Sequence, residues 1–306
     1  MPNTLGHLGV QALVTRLAVR DIDLRWVALG CVIPDIPWIL ARVLRLLPFD
    51  PYDLRLYAVV QASLFFSLLF CGALAVFSQR MARTFAILGA NAVMHLLLDA
   101  LQTKWGNGVH FFAPFSWRMT SFDLFWPEDL PTLLLTACGV GFAAWALLRK
   151  PRNLEAIVCP GRWRALLAVL VLAAWGIAPV ALIAGPEASD NHFIRTLRER
   201  NTRTGRRIEL DRARLSRRER ASHLITFAGE EIAVAEFTPA AGADPGPGVV
   251  SIRGRFVGPA RVRVTSLHRH QPWLRDAASV LGLVIVLALW GRAPLRWRDA
   301  AGGELR

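Results

Sequence analysis

Two histidines and two aspartates interrupt stretches that are otherwise rich in leucine and isoleucine. His95 and Asp99 lie four residues apart in "NAVMHLLLDALQ", so on a helix they share one face. Asn91 and Gln102 extend that face into a polar stripe. Thr4, His7, Gln11 and Thr15 form a matching stripe near the N-terminus, Asp35 falls inside "GCVIPDIPWIL", and His110 follows in "GNGVHFF". Ionisable groups are costly in hydrocarbon and face the interior of a bundle or a water-filled cavity. Taken singly, each is more often a satisfied structural group. Together, spread over three helical segments and a loop, they suggest one shared site. Neutral imidazoles and carboxylates ligate zinc and similar divalent ions, and the metal neutralises carboxylates that apolar surroundings would reject. The candidate ligands are therefore His7, Asp35, His95, Asp99 and His110, for Zn²⁺ or Mn²⁺, with Asp35 or Asp99 serving as ligand or as catalytic base. Lys104, Arg118 and Gln61 are the candidate substrate contacts. For the two cations, snorkelling to lipid headgroups is the competing reading.

The elements that must position these groups are membrane helices. Of 306 residues, 54% are hydrophobic, and the mean hydropathy is +0.36. Both values exceed those of an ordinary soluble domain. Runs long enough to cross a bilayer fall at 26–47, 56–77, 84–101, 130–148, 163–184 and 277–290. Residues 5–19 form a shorter amphipathic segment, packed in the bundle or lying at the interface. Pro34 and Pro37 predict a break around Asp35, and the freed backbone groups then need internal partners. No cleavable signal peptide is expected.

The fold class read from this pattern is mainly α: a polytopic helical membrane bundle with an inserted small extramembrane β-domain. Residues 1–184 are the bundle, 185–273 the β-rich domain, and 274–306 a final transmembrane helix with a basic tail. "RRIEL", "ASHLITFAGEEIAVAEF", "GVVSIRGRFVG" and "ARVRVTSLHRH" predict about five short strands, several with period-two alternation. Such strands suit a small barrel of OB type. "FIRTLRERN" predicts a short helix. His268 and His270 share a strand face, a spacing that suits a metal, although a solvated face is the plainer reading.

Orientation follows from the basic residues near span ends. Arg16, Arg20, Arg25, Arg80, Arg83, Arg149, Lys150, Arg152, Arg162, Arg164, Arg292, Arg296 and Arg298 mark one side as cytoplasmic. Arg42, Arg45, Arg55, Lys104 and Arg118 mark the other. Residues 102–129 and 185–276 are then outside a cytoplasmic membrane of bacterial type, with the C-terminus inside. The net charge of +13 is read as positive-inside loops and as contact with anionic lipid. Nucleic acid is not the expected partner: the β segment offers only Phe227, Phe237, Phe256 and Trp273 as stacking surfaces. Cys31, Cys71, Cys138 and Cys159 show no CxxC spacing and read as buried thiols.

"GHLGV" with His7, "IPDIP" with Asp35 and "HLLLDALQTKWGNGVHFFAPFSW" together resemble the membrane-bound metal-dependent hydrolases described as LexA-binding and inner-membrane-associated. That group is distantly similar to the zinc-dependent phospholipase C and single-strand nuclease superfamily. The resemblance covers roughly residues 4–127. It implies that His7, Asp35, His95 and Asp99 are metal ligands, with His110 a further one. It also implies hydrolysis, and the location of the pocket in a membrane favours a phosphoester or lipid-derived substrate. Two positions depart from the family pattern: Ala62 stands where a histidine is expected, and Pro37 where a second aspartate is expected. The alternative is a non-catalytic membrane scaffold whose β-domain docks a protein partner.

Overall fold

Asn3 opens the first helix, α1 (Thr4–Ala18), its side chain accepting from the Gly6 amide at 2.8 Å. The computed structural model describes residues 3–19, 21–149, 154–218, 221–242 and 244–291, and the backbone of 297–298. Arg20, Lys150, Arg152, Arg292, Arg296 and most of the basic tail lie outside the described residues. Almost every position in the first half of α1 is buried, so this segment packs inside the bundle. Glycines allow that packing. A Cβ on Gly9 would strike the Gly139 backbone, one on Gly139 would strike the Leu5 carbonyl, and one on Gly282 would lie 2.6 Å from the Leu5 nitrogen. Small residues of this kind are how helix backbones approach closely in apolar surroundings.

Asp23 caps α2 (Leu24–Val32) by accepting from the Arg25 amide, and its carboxylate also pairs with the Arg25 guanidinium at 2.6 Å. A 3₁₀ turn, Ile33–Asp35, then leads into α3 (Ile36–Leu44). Pro34 has no N–H to continue the α-helical ladder, so the predicted break falls at Asp35. Next come α4 (Pro51–Gln61), α5 (Leu64–Ala75), α6 (Met81–Leu101) and α7 (Leu130–Leu148). The span expected at 56–77 is a correction: α4 and α5 meet at 67°. Ser63 is extended, and the Leu64 amide that opens α5 bonds to the His110 carbonyl at 3.3 Å. After β1 (Ile157–Val158) the chain continues through α8 (Arg162–Leu182), α9 (Ala184–Ser189) and α10 (Ile194–Arg198).

Five strands follow: β2 (Arg207–Arg218), β3 (Ala221–Ile225), β4 (Glu231–Phe237), β5 (Gly248–Gly258) and β6 (Arg261–His270). The order is β2-β3-β4-β6-β5, with β5 pairing back to β2. Of these pairs only β4 with β6 is parallel. Ile208, Leu210, Leu215, Leu224, Val250, Ile252, Phe256 and Val264 point inward and form its core. Phe256 is thus a core residue, and Phe227 and Phe237 pack against the same core. The last helix, α11 (Pro272–Gly291), returns to the bundle, and β7 (Trp297–Arg298) pairs with β1. Among the described residues, five helical segments are long and apolar enough to cross a membrane, and the bent α4–α5 pair makes a sixth candidate.

The β-rich segment rests on the N-terminal end of α4, where Tyr52 packs against its core, and on the loop 102–129. Arg198 pairs with Asp53 at 2.6 Å, the Gly106 amide donates to Glu209 at 3.0 Å, Asn107 donates to Asp211 at 3.2 Å, and Arg253 pairs with Asp123 at 3.5 Å. The α6–α7 loop and the β-rich segment therefore lie on one side of the bundle.

Candidate metal centre

Helix α6 carries His95 and Asp99 on its buried face, and α2 runs against it. Gly30 makes the approach close enough: a Cβ there would stand 2.8 Å from Asn91 and from the Leu88 carbonyl. His95 Nδ1 consequently meets the Cys31 carbonyl at 2.6 Å. A carbonyl only accepts, so Nδ1 carries the proton, and in the neutral ring Nε2 presents a lone pair. Helix α1 brings His7 from the other side. The two imidazoles stack, centroids 3.9 Å apart and planes 4° from parallel. His7 Nδ1 lies 3.4 Å from the Gln11 amide nitrogen, while Gln11 Oε1 is buried without a partner. With that amide turned over, Oε1 accepts from His7 Nδ1–H, and His7 Nε2, like His95 Nε2, is left free to ligate.

The carboxylates complete the cluster. His7 Nε2 is 3.3 Å from Asp99 Oδ1, and His95 Nε2 is 4.0 Å from Asp99 Oδ2 and 3.5 Å from Asp35 Oδ1. One ligand atom each from His7, His95 and Asp99 lie within 4.8 Å of one another. Asp35 joins through His95. His7 Nε2, His95 Nε2, Asp35 Oδ1 and Asp99 Oδ1 are all buried without a hydrogen-bond partner among the described residues. Buried polar atoms normally find partners. Four unsatisfied atoms turned toward one another, two of them imidazole lone pairs and two carboxylate oxygens, fit a divalent cation. This group of residues can hold a metal ion.

The other expected site residues stand outside the His7, His95 and Asp99 group. His110 lies outside the ligand group: its Nε2 bonds to His192 Nε2 at 2.9 Å. Burial pushes His110 down to about 4, and burial, then His110 and Arg55, hold His192 well below the usual imidazole range. Both rings are therefore neutral at neutral pH. Lys104 is buried, with Nζ 3.1 Å from Asp99 Oδ2. Gln61 donates to the Tyr57 hydroxyl and the Trp175 carbonyl, tying α4 to α8. Arg118 is exposed, its backbone amide turned to Ser116. Of the cysteines, Cys31 and Cys71 are buried, whereas Cys138 and Cys159 are half-buried.

A cavity of about 30 Å³ adjoins Asp99. Its other walls include Pro34, Ala62, Leu96, His110 and His192. This volume holds about one water. His192 was not among the sequence candidates, because "SDNHFIR" carries no stripe or spacing that would mark it. Ala62, where the resemblance expects a histidine, does face this cavity.

Comparison with protein-family models, with curated proteins and with solved structures gives no match.

Proposed function

We propose that this protein is a metal-dependent hydrolase of the cytoplasmic membrane, allied to the inner-membrane hydrolase family that its motifs resemble. Its substrate is a phosphoester or lipid-derived molecule. The observation that carries the reading is the convergence of His7, His95, Asp35 and Asp99 through four buried, unsatisfied atoms. His7, His95 and Asp99 are the ligands, and zinc is the metal favoured by two imidazoles and a carboxylate. A metal held by these residues would supply a water of lowered pKa and a Lewis acid for a phosphoryl oxygen. Asp35, 3.5 Å from His95 Nε2 and outside the ligand group, would serve as the base for a metal-activated water. Lys104 Nζ lies 3.1 Å from Asp99 Oδ2, the oxygen turned away from His7. Residues 102–129 and the β-rich segment roof the site on the outer side. The strand order, with β4 parallel to β6, supports an OB-like reading of that segment.

One observation favours the scaffold reading. Lys104 already supplies a positive charge to Asp99, and a cavity of about 30 Å³ admits a water but no phosphoester. On the hydrolase reading the roof must open to admit substrate.

The test is metal content by mass spectrometry of detergent-purified protein, made without chelator, beside a His95→Ala/Asp99→Ala variant. The hydrolase reading expects the variant to contain about one equivalent less zinc or manganese and to lose activity on a model phosphodiester. Equal metal in the two proteins, after metal is added back, sinks it and leaves a buried polar network.

A further inference from the structure

A second cluster lies at the seam between the α6–α7 loop and the β-rich segment. Glu128 Oε2 is 3.3 Å from His268 Nε2, and Glu128 Oε1 is 2.9 Å from His270 Nδ1. One ligand atom from each residue lies within 4.8 Å of the others. The face expected to be solvated is therefore turned into the molecule: His270 is buried, and His268 stacks flat on Trp126 at 3.7 Å.

A β-bulge builds the surroundings. The β2–β5 register shifts between Leu210 and Ala213, and Arg212 adopts a positive φ of 55°. Bulges re-aim side chains in this way. Here Asp211 and Arg212 turn toward the seam. Ser251 Oγ meets His270 Nε2 at 2.7 Å and Asp211 Oδ1 at 3.1 Å, and accepts from the Arg212 amide at 3.1 Å. Arg212 Nη2 reaches Glu128 Oε1 at 3.3 Å.

The line Ser251–His270–Glu128 has the connectivity of a nucleophile triad, but Ser251 is fully buried and no substrate can reach it. The chain of bonds makes sense in the other direction. His270 Nε2–H donates to Ser251, and the Ser251 hydroxyl donates to Asp211. His270 Nδ1 is then a lone pair aimed at Glu128. Outer-shell partners of this kind fix the tautomer of metal-ligating histidines.

We propose that Glu128, His268 and His270 form a second divalent-metal site, selective for Zn²⁺, independent of the centre in the bundle. Two imidazoles and one carboxylate are an established zinc ligand set that leaves a fourth position open. Ligands at about 2.0–2.2 Å from a tetrahedral zinc stand about 3.3 Å apart; here the two imidazoles stand 2.9 and 3.3 Å from the two oxygens of Glu128. Glu128, reached by the Arg212 guanidinium at 3.3 Å, supplies the anionic ligand. The same Glu128 lines a cavity of about 420 Å³ between α1, α7 and α11, walled by Leu5, Leu133, Val140, Leu274 and Leu281. A metal here would clamp the loop that roofs the bundle site onto β6.

The experiment starts from the full-length His95→Ala/Asp99→Ala variant, in which the bundle site is removed. Titrated with zinc, this protein is expected to take up one equivalent, and adding His268→Gln is expected to abolish that uptake. No zinc uptake by the His95→Ala/Asp99→Ala protein, or uptake unchanged by His268→Gln, overturns the proposal without bearing on the bundle site. If these variants do not fold, diethyl pyrocarbonate labelling of the wild-type protein decides. Zinc is expected to protect His268 at least several-fold, and equal labelling with and without zinc overturns the site.

Discussion

His7 and His95 stack face to face, 3.9 Å between ring centres, and both turn Nε2 toward Asp99. Neither ring would hold this pose unaided. Cys31 anchors the far nitrogen of His95 and Gln11 that of His7, so the two lone pairs are aligned by groups outside the ligand set.

Lys104 separates the two readings of the bundle site. On the metal reading its ammonium competes with a cation for Asp99. Lys104→Met is then expected to tighten zinc binding by about tenfold, the effect of removing one nearby positive charge in a partly screened site. Isothermal titration of the detergent-solubilised protein measures this. If affinity is unchanged or weaker, Lys104 is a partner that Asp99 requires, which favours the scaffold.

Gly139 governs whether His7 reaches the site at all. In Gly139→Leu the new side chain meets the Leu5 backbone and displaces α1. The expected cost is at least the 1–3 kcal/mol of an overpacked core, together with loss of bound zinc. Thermal unfolding and metal analysis on the same preparation report both. Retention of zinc at wild-type affinity would mean that His7 is not a ligand.

The His110–His192 pair sets a pH dependence. The pKa of His110 falls from an unfolded value near 6.5 to about 4, and that of His192 falls in the same direction. The unfolded chain therefore binds more protons below pH 6.5. The stability contributed by the neutral pair is complete above that pH and is lost as pH falls toward 4, by up to about 1.4 kcal/mol per pH unit for each ring. Unfolding midpoints between pH 7 and 4.5 should show this slope, and His110→Asn/His192→Asn should flatten it.

Arg203 tests the β-rich segment separately. It is fully buried, forks onto both oxygens of Glu230 at 2.6 and 3.1 Å, donates to the Leu197 and Pro259 carbonyls, and stacks over Phe256. Arg203→Met leaves the buried Glu230 with only the exposed Arg200, 3.3 Å away, as an ion-pair partner, at an expected cost of up to about 3–5 kcal/mol. Proteolysis should then cut within residues 203–270 while the zinc of the bundle site remains. Equal loss of both would mean that the two parts unfold together.

The sequence by itself determined the elements and the polar stripes. Hydrophobic runs of span length marked the helices, period-two alternation marked β5 and β6, and Pro34 marked the break at Asp35, because each is a local property of the chain. Four residues, His7, Asp35, His95 and Asp99, were legible as one site because burying them separately would be costly. What only the tertiary structure decided concerns partners distant in sequence. Lys104 pairs with Asp99, His110 meets His192, and Gln61 bonds across to α8. Asp35 stands beside the ligand group, and the histidines of β6 meet Glu128 from the far end of a loop. No periodicity encodes these meetings. They follow from where three glycines let α1 sit, where α4 and α5 bend, and where a bulge turns β2 toward the bundle.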